Sequence, residues 1–160
     1  PNLKQEFLFE IHSAWGKIFL QCGDIASAEQ KFLAINPLSR EEIIKAHVNK
    51  GLVAVAKNDF SEAHGFFSKA YEMNKRNVMV INNLAVCYLY NGKMHEAIKL
   101  YEQAIFSDPK SSLHETLLLN CATLYELRSN ESKKKKIELL KIVSANRADL
   151  EMSIELCLKL

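Results

Sequence analysis

Glycine and proline are scarce, with five and three in 160 residues. Sandwiches and barrels turn too often to be built from so few, so long helices with tight connections are favoured. An excess of charge of one sign is also missing: 21 Lys+Arg face 19 Asp+Glu, for a net charge of +2. Ten bases and nine acids fall in the first eighty residues, leaving eleven and ten for the last eighty. Neither half is a charged tail, which argues against nucleic-acid binding through bulk charge. No apolar run approaches the roughly 18 residues that span a bilayer, so no membrane insertion is expected. The four cysteines, at 22, 87, 121 and 157, form no C-x-x-C pair, and no secretory signal is present. They read as reduced cytosolic thiols serving as small buried apolar residues.

Motifs that carry chemistry are missing as well. There is no G-x-G-x-x-G and no phosphate loop. His95-Glu96 and His114-Glu115 could open an H-E-x-x-H zinc site, but Lys99 and Leu118 stand where the second histidines belong. No nucleophile–base pair or carboxylate pair stands out. An enzyme is therefore not expected, and neither is a metal or cofactor. Asn130-Glu131-Ser132 is formally a glycosylation sequon, read here as an unmodified helix start.

What is present is ordinary globular composition, 48% hydrophobic and 25% charged, organised by an internal period. Gly51 and Ala85 lie 34 residues apart, as do Ala63 and Ala97, Phe67 and Tyr101, and Ala70 and Ala104. One register earlier, Gly16, Ala28, Phe32 and Ile35 precede Gly51, Ala63, Phe67 and Ala70 by 35 each. Period and residue types resemble the tetratricopeptide repeat, a helix-turn-helix of 34 residues. Small residues at its eighth and twentieth positions let two antiparallel helices approach, and the aromatic twenty-fourth is expected to fill the space between neighbouring repeats. Gly23, Asn58 and Gly92 fall at the turn within each repeat, where a positive φ is often needed. Asp24 and Asp59 then favour the next helix start.

The expected fold is all-α: a right-handed solenoid of antiparallel helix pairs forming one domain over 1–160. Repeats span about 9–40, 44–76 and 78–111, followed by a divergent repeat at 112–146 and a capping helix at 147–160. Helices are expected near 3–22, 25–36, 40–56, 59–74, 77–91, 93–107, 112–128, 131–145 and 147–158. Ser39 with Glu41 and Glu42 marks a helix start, and Pro37 and Pro109 belong to inter-repeat loops. Leu150, Ile154, Cys157 and Leu158 give the last stretch helical spacing. The chain opens on Pro1, which reads as a fragment of a longer protein. Leu3, Phe7 and Ile11 form one apolar stripe, and Leu8, Trp15 and Phe19 another. A capping helix should be polar outside, so further chain or a second copy is expected to pack there.

In this repeat class, first-helix positions two, five, nine and twelve point into the concave face. Those positions place Leu20, Val48, Leu52, Val55, Met79, Val86, Leu89 and Leu119 in a protein-binding groove with polar residues at its ends. These side chains either form an interface or pack against neighbouring repeats. The carboxylate clamp that some such domains use to hold chaperone tails would need Lys, Asn and Arg on this face. The aligned residues are Ser13, Lys17, Asn49, Met79 and Asn83, and only Asn49 matches. Lys133, Lys134, Lys135 and Lys136 form the one charge run, read either as a weak contact with acidic lipid headgroups, as a nuclear-import signal or as a solvated helix turn.

A more specific resemblance lies in the second half. Val80 through Gly92, Asp108 through Glu115, Leu124-Tyr125-Glu126-Leu127 and the closing Cys157-Leu158-Lys159-Leu160 are similar to the C-terminal repeat region of a trafficking protein particle complex subunit family. The similarity runs over about 78–160 and includes features that the repeat itself does not require. It implies a non-catalytic scaffold whose partners are the other subunits of a vesicle-tethering complex. That complex acts between endoplasmic reticulum and Golgi and activates a Rab-family GTPase through other, smaller subunits. The resemblance further implies a cytoplasmic location at the endoplasmic reticulum–Golgi intermediate compartment or the Golgi periphery. It also offers an alternative role in mitotic kinetochore assembly, with some time in the nucleus. Members of the family carry a long N-terminal region absent from this sequence.

Overall fold

A computed structural model describes residues 3–128 and 131–146. Those residues form helices α1 (Leu3–Gln21), α2 (Ile25–Leu33), α3 (Arg40–Ala56), α4 (Phe60–Met73), α5 (Val78–Tyr90), α6 (Met94–Ser107), α7 (Pro109–Ser112), α8 (Glu115–Arg128) and α9 (Ser132–Asn146). No strand occurs among the described residues, and the fold is an all-α tetratricopeptide-repeat fold. The capping helix expected over 147–160 lies outside them, as do Cys157, Pro1 and Asn130. The chain divides into two compact units, Pro1–Lys75 and Arg76–Leu160.

In the first unit α1 pairs with α2, α3 pairs with α4, and α3 also packs on α1 and α2. The two pairs turn in the same way. After α1 the Gly23 N–H reaches the Leu20 carbonyl at 3.0 Å and the Asp24 N–H reaches Phe19 at 2.9 Å. After α3 the Asn58 N–H reaches Val55 at 2.9 Å and the Asp59 N–H reaches Ala54 at 2.9 Å. Both are Schellman ends, which close on a left-handed residue. Gly23 (φ 81°) and Asn58 (φ 62°) supply it. Each turn then hands over to an N-cap. The Asp24 carboxylate accepts from the Ser27 N–H at 3.0 Å, and Asp59 accepts from the Glu62 N–H at 2.8 Å. The α3 start carries a full capping box: Ser39 Oγ accepts from the Glu42 N–H, and the Glu42 carboxylate accepts from the Ser39 N–H. A further N–H, from Leu38, also bonds that carboxylate, and the two backbone bonds hold its pKa below the usual range.

The role of the twenty-fourth position differs from expectation. A Cβ added at Gly51 would sit 2.7 Å from the ring of Phe67, and Gly16 bears the same relation to Phe32. These aromatics therefore lie over the glycine of their own helix pair. The missing Cβ makes the socket, and the ring fills it at van der Waals density.

In the second unit α5 pairs with α6, α6 packs on α8, and α8 pairs with α9. The α5–α6 turn repeats the same bonds, from Gly92 to Leu89 and from Lys93 to Tyr88, with Gly92 at φ 74°. Asn77 caps α5 by accepting from the Val80 N–H at 3.2 Å. The helix expected over 112–128 is α8, which starts at Glu115, and an unexpected short helix, α7, precedes it. Pro109 follows the C-cap of α6 directly and occupies the first position of α7, where its missing N–H is no loss. Leu117, Leu118, Cys121, Ala122, Leu139 and Val143 are wholly buried, so the divergent 112–146 segment is packed in its own right.

Cys87 and Cys121 are buried, as expected, and burial pushes their thiols up to about 11 and about 12. Cys22 is exposed, contrary to expectation, because it stands at the turn after α1 rather than inside a helix pair. The α1 surface is strongly apolar: Leu3 is 81% exposed, Phe7 65%, Ile18 55% and Trp15 50%. The Lys31 ammonium lies 5.0 Å from the Trp15 ring centre, a cation–π contact that covers part of one ring.

Candidate protein-binding surface

The eight predicted groove residues divide evenly between the units. In the first unit Leu20, Leu52 and Val55 are half-buried on α1 and α3. Val48 is a correction: only 1% of it is exposed, so it belongs to the core. It is buried beside Ile44 and Asn49 in α3, a helix that packs against α1, α2 and α4. Asn49 follows suit. Its Nδ2 donates to Ser13 Oγ at 2.9 Å in a buried bond between α1 and α3. The one residue that matched a carboxylate clamp therefore ties two helices together and is not offered to a ligand.

In the second unit Met79 is 44% exposed, and Val86, Leu89 and Leu119 are half-buried. Here the fold brings two predicted residues together. Val86 and Leu89 line a cavity of about 120 Å³ between α5 and α8, with Tyr90, Asn120, Leu124 and Leu127. Met79 and Leu119 do not line it. Tyr90 and Leu127 are 66% and 62% exposed, so the cavity has an apolar rim. Tyr101 and Asn120 add polar atoms to its lining, and both bond Asn82, which does not line it. Asn82 Oδ1 accepts twice, from Tyr101 Oη at 3.0 Å and from Asn120 Nδ2 at 2.7 Å. Burial raises the Tyr101 phenol well above its ordinary pKa, so it remains a neutral donor.

Sequence reasoning missed Tyr90, Asn120, Leu124 and Leu127 because none of them stands at the second, fifth, ninth or twelfth position of its first helix, even with the offset of 37 applied. The echo of Asn83-Leu84-Ala85-x-x-Tyr88 in Asn120-Cys121-Ala122-x-x-Tyr125 aligned the divergent repeat without marking these side chains as cavity lining. A second cavity, of about 230 Å³, was not anticipated. It lies in the first unit among α2, α3 and α4, lined by Phe32, Leu33, Lys50, Val53, Lys57 and Phe66. None of the predicted groove residues reaches it. The 70% exposed Leu33 is the conspicuous apolar residue at its edge.

The tetralysine run is not one patch. Lys135 Nζ donates to Glu102 Oε1 at 2.7 Å and lies 4.8 Å from the centre of the Tyr125 ring. Tyr125 Oη donates to the same carboxylate oxygen at 2.9 Å. Lys136 is buried and ion-paired with Glu126. These two lysines fasten α9 to α6 and α8, while Lys133 and Lys134 stay exposed. Among the described residues no cluster of His, Cys, Asp and Glu has the makings of a metal site. No helix among them is long and apolar enough to cross a membrane.

Known proteins share this pattern. The tetratricopeptide repeat family profile matches residues 54–121. The chain is similar to trafficking protein particle complex subunit 12 of Homo sapiens, 36% identical over 145 residues, which cover 88% of this chain and 20% of that protein. The Mus musculus counterpart is 35% identical, covering 88% of this chain and 18% of that protein. The chain thus spans about a fifth of the length of these two relatives, and the likeness reaches well beyond 78–160. Photosystem I assembly protein Ycf3 of Prochlorococcus marinus (strain NATL2A) is 29% identical over 93 residues, covering 56% of this chain and 52% of that protein. The chain carries a tetratricopeptide-repeat domain that resembles trafficking protein particle complex subunit 12.

Proposed function

We propose that the protein is a non-catalytic scaffold subunit of a vesicle-tethering complex of the trafficking protein particle type. The complex would act between endoplasmic reticulum and Golgi and activate a Rab-family GTPase through other subunits. The scaffold would sit on the cytoplasmic side, at the intermediate compartment or the Golgi periphery. One observation carries this reading: the 36% identity to subunit 12 over 88% of the chain, which extends outside the repeat signature. The partners are the other subunits of the complex. The surfaces offered to them are Leu20, Leu52 and Val55 in the first unit, and Met79, Val86, Leu89 and Leu119 in the second. Apolar side chains held half-exposed on packed helices suit docking, because little ordering is needed when a partner desolvates them. A weak contact with acidic lipid headgroups would fall to Lys133 and Lys134; sedimentation with acidic vesicles tests it.

A second reading has support of its own. Ycf3 is named as an assembly protein and shares the repeat over more than half of this chain. A repeat adaptor in another assembly, such as kinetochore assembly in mitosis, would use the same surfaces. Purifying the complete protein from cells and identifying what accompanies it separates the two. Tethering-complex subunits in fixed proportion support the first; their absence, with kinetochore components present, supports the second.

A further inference from the structure

The cavity among α2, α3 and α4 has charges sorted by end. Lys50, Val53 and Lys57 share one face of α3, and the stretch from Lys50 to Lys57 is about 10 Å long. At the Lys57 end the positive charge is neutralised. Lys57 Nζ donates to Glu29 Oε1 at 2.6 Å, and Glu62, on the first turn of α4, has no ion pair among the described residues. At the other end Lys50 is exposed, and no acid pairs with it among the described residues. Its ammonium lies 6.0 Å from the centre of the Phe66 ring, which also lines the cavity. Lys69, exposed on α4, does not line the cavity, but its ammonium lies 5.8 Å from the same ring. It too lacks an ion pair among the described residues. Burial lowers the His47 pKa with help from Lys69 and Lys50, so both lysines act on one neighbourhood.

A ring face attracts an exposed ammonium only weakly, so a carboxylate still gains by joining these two lysines. Beside them lies an apolar recess of about 230 Å³, walled by Phe32, Leu33, Val53 and Phe66. That exceeds the roughly 150 Å³ that accommodates benzene, so one Phe, Leu or Met side chain fits. Leu33, 70% exposed at the edge, would be desolvated by a docked chain. A partner that matches both features carries an apolar side chain and carboxylates within one short stretch. At about 3.3 Å per extended residue, the length from Lys50 to Lys57 corresponds to about three positions. An anionic membrane suits the site less well: it is flat where the site is recessed, and the unpaired Glu62 at the far end would face its headgroups. We propose that the first unit binds an acidic peptide segment. One Phe, Leu or Met side chain enters the cavity among α2, α3 and α4, and Asp or Glu side chains within about three positions of it pair with Lys50 and Lys69. Leu52 and Val55, the α3 residues offered to tethering-complex subunits, do not line this cavity, so the site stands whether or not that reading does.

The probes are arrayed twelve-residue peptides with a central Phe, Leu or Met and with Asp or Glu at varied positions, tested against the complete protein. Single-stranded oligonucleotides and vesicles of phosphatidylcholine with phosphatidylserine run beside them. Replacing the central residue of a binder with Ser should weaken binding about tenfold or more, the scale of one large apolar side chain left in water. Replacing its acids with Asn or Gln should weaken binding about fivefold, the upper range for an exposed ion pair. Lys50→Glu with Lys69→Glu should weaken the acidic peptide about tenfold, since repulsion replaces attraction, and should favour the same peptide with Lys in place of its acids. Both positions are exposed, so the melting curve should stay in place. If that variant fails to fold, Leu33→Ser and the peptide series decide. Val86→Asp, in the other unit, should leave peptide affinity unchanged. Peptides that bind equally well with and without acids overturn the proposal, as does an unchanged preference in the charge-reversed variant or the absence of any binding peptide. Vesicles or oligonucleotides that bind through Lys50 when no peptide does overturn it as well.

Discussion

Replacing Gly51 with Ala sets two effects of opposite sign against each other. In a helix interior Ala is favoured over Gly by about 1 kcal/mol. At this site the new methyl would stand 2.7 Å from Phe67 Cε1 and Cζ and 3.0 Å from Cδ1. Phe67 is wholly buried. Overpacking of this kind costs about 1–3 kcal/mol, so the variant should be destabilised by about 0–2 kcal/mol. Gly65 supplies the control. It lies inside α4, is exposed, and has nothing within 4 Å of an added Cβ. Gly65→Ala should therefore keep the propensity gain and stabilise by about 0.5–1 kcal/mol. Denaturant titration of both variants isolates the crowding as their difference, about 1–3 kcal/mol. Adding Phe67→Leu to Gly51→Ala should cost less than Phe67→Leu alone, since the two sites touch and their effects cannot add. Equal stabilisation by the two Ala substitutions would refute the socket account.

Other perturbations follow from the same packing. Ala97 is wholly buried on α6, so Ala97→Leu should cost about 1–3 kcal/mol in a thermal melt; a variant melting like the parent would discredit the register. Desolvation lowers the His47 pKa, helped by Lys69 and Lys50. The unfolded chain therefore takes up this proton first as pH falls below about 6.5, and stability should fall with it. His47→Gln should flatten that part of the curve, and an unchanged slope would show that His47 contributes nothing. Phe7 and Ile18 are exposed on α1, so Phe7→Ser with Ile18→Ser should lower self-association in light scattering while shifting stability by about 0.5 kcal/mol each or less.

The small positions and turn residues were legible in sequence because each has a strict local cause. Gly23, Asn58 and Gly92 were placed by the need for a left-handed turn, and Asp24 and Asp59 by the orphan N–H groups that follow. What Phe32 and Phe67 pack against was not legible, since periodicity reports that a site recurs and not which neighbour it touches. Val48 and Leu52 look alike by position and type. Only the packing of α3 against its neighbouring helices buries one and leaves the other half-exposed. The Asn82–Asn120–Tyr101 network joins residues 19 and 38 positions apart across an irregular offset, beyond the reach of a fixed period. The division of Lys133 to Lys136 into two exposed and two engaged lysines likewise depends on Glu102 and Glu126, acids far off in the chain.

The central claim is that half-exposed apolar side chains of these repeats hold the protein in a larger assembly. Leu52→Asp and Val86→Asp in the complete protein test it most directly, with a thermal melt and co-purification measured on the same samples. The account predicts that both variants lose the tethering-complex subunits while their stability moves by only about 0.5 kcal/mol, as for surface substitutions. A loss of several kcal/mol, the mark of an unpaired charge forced into a core, would contradict it, as would intact co-purification.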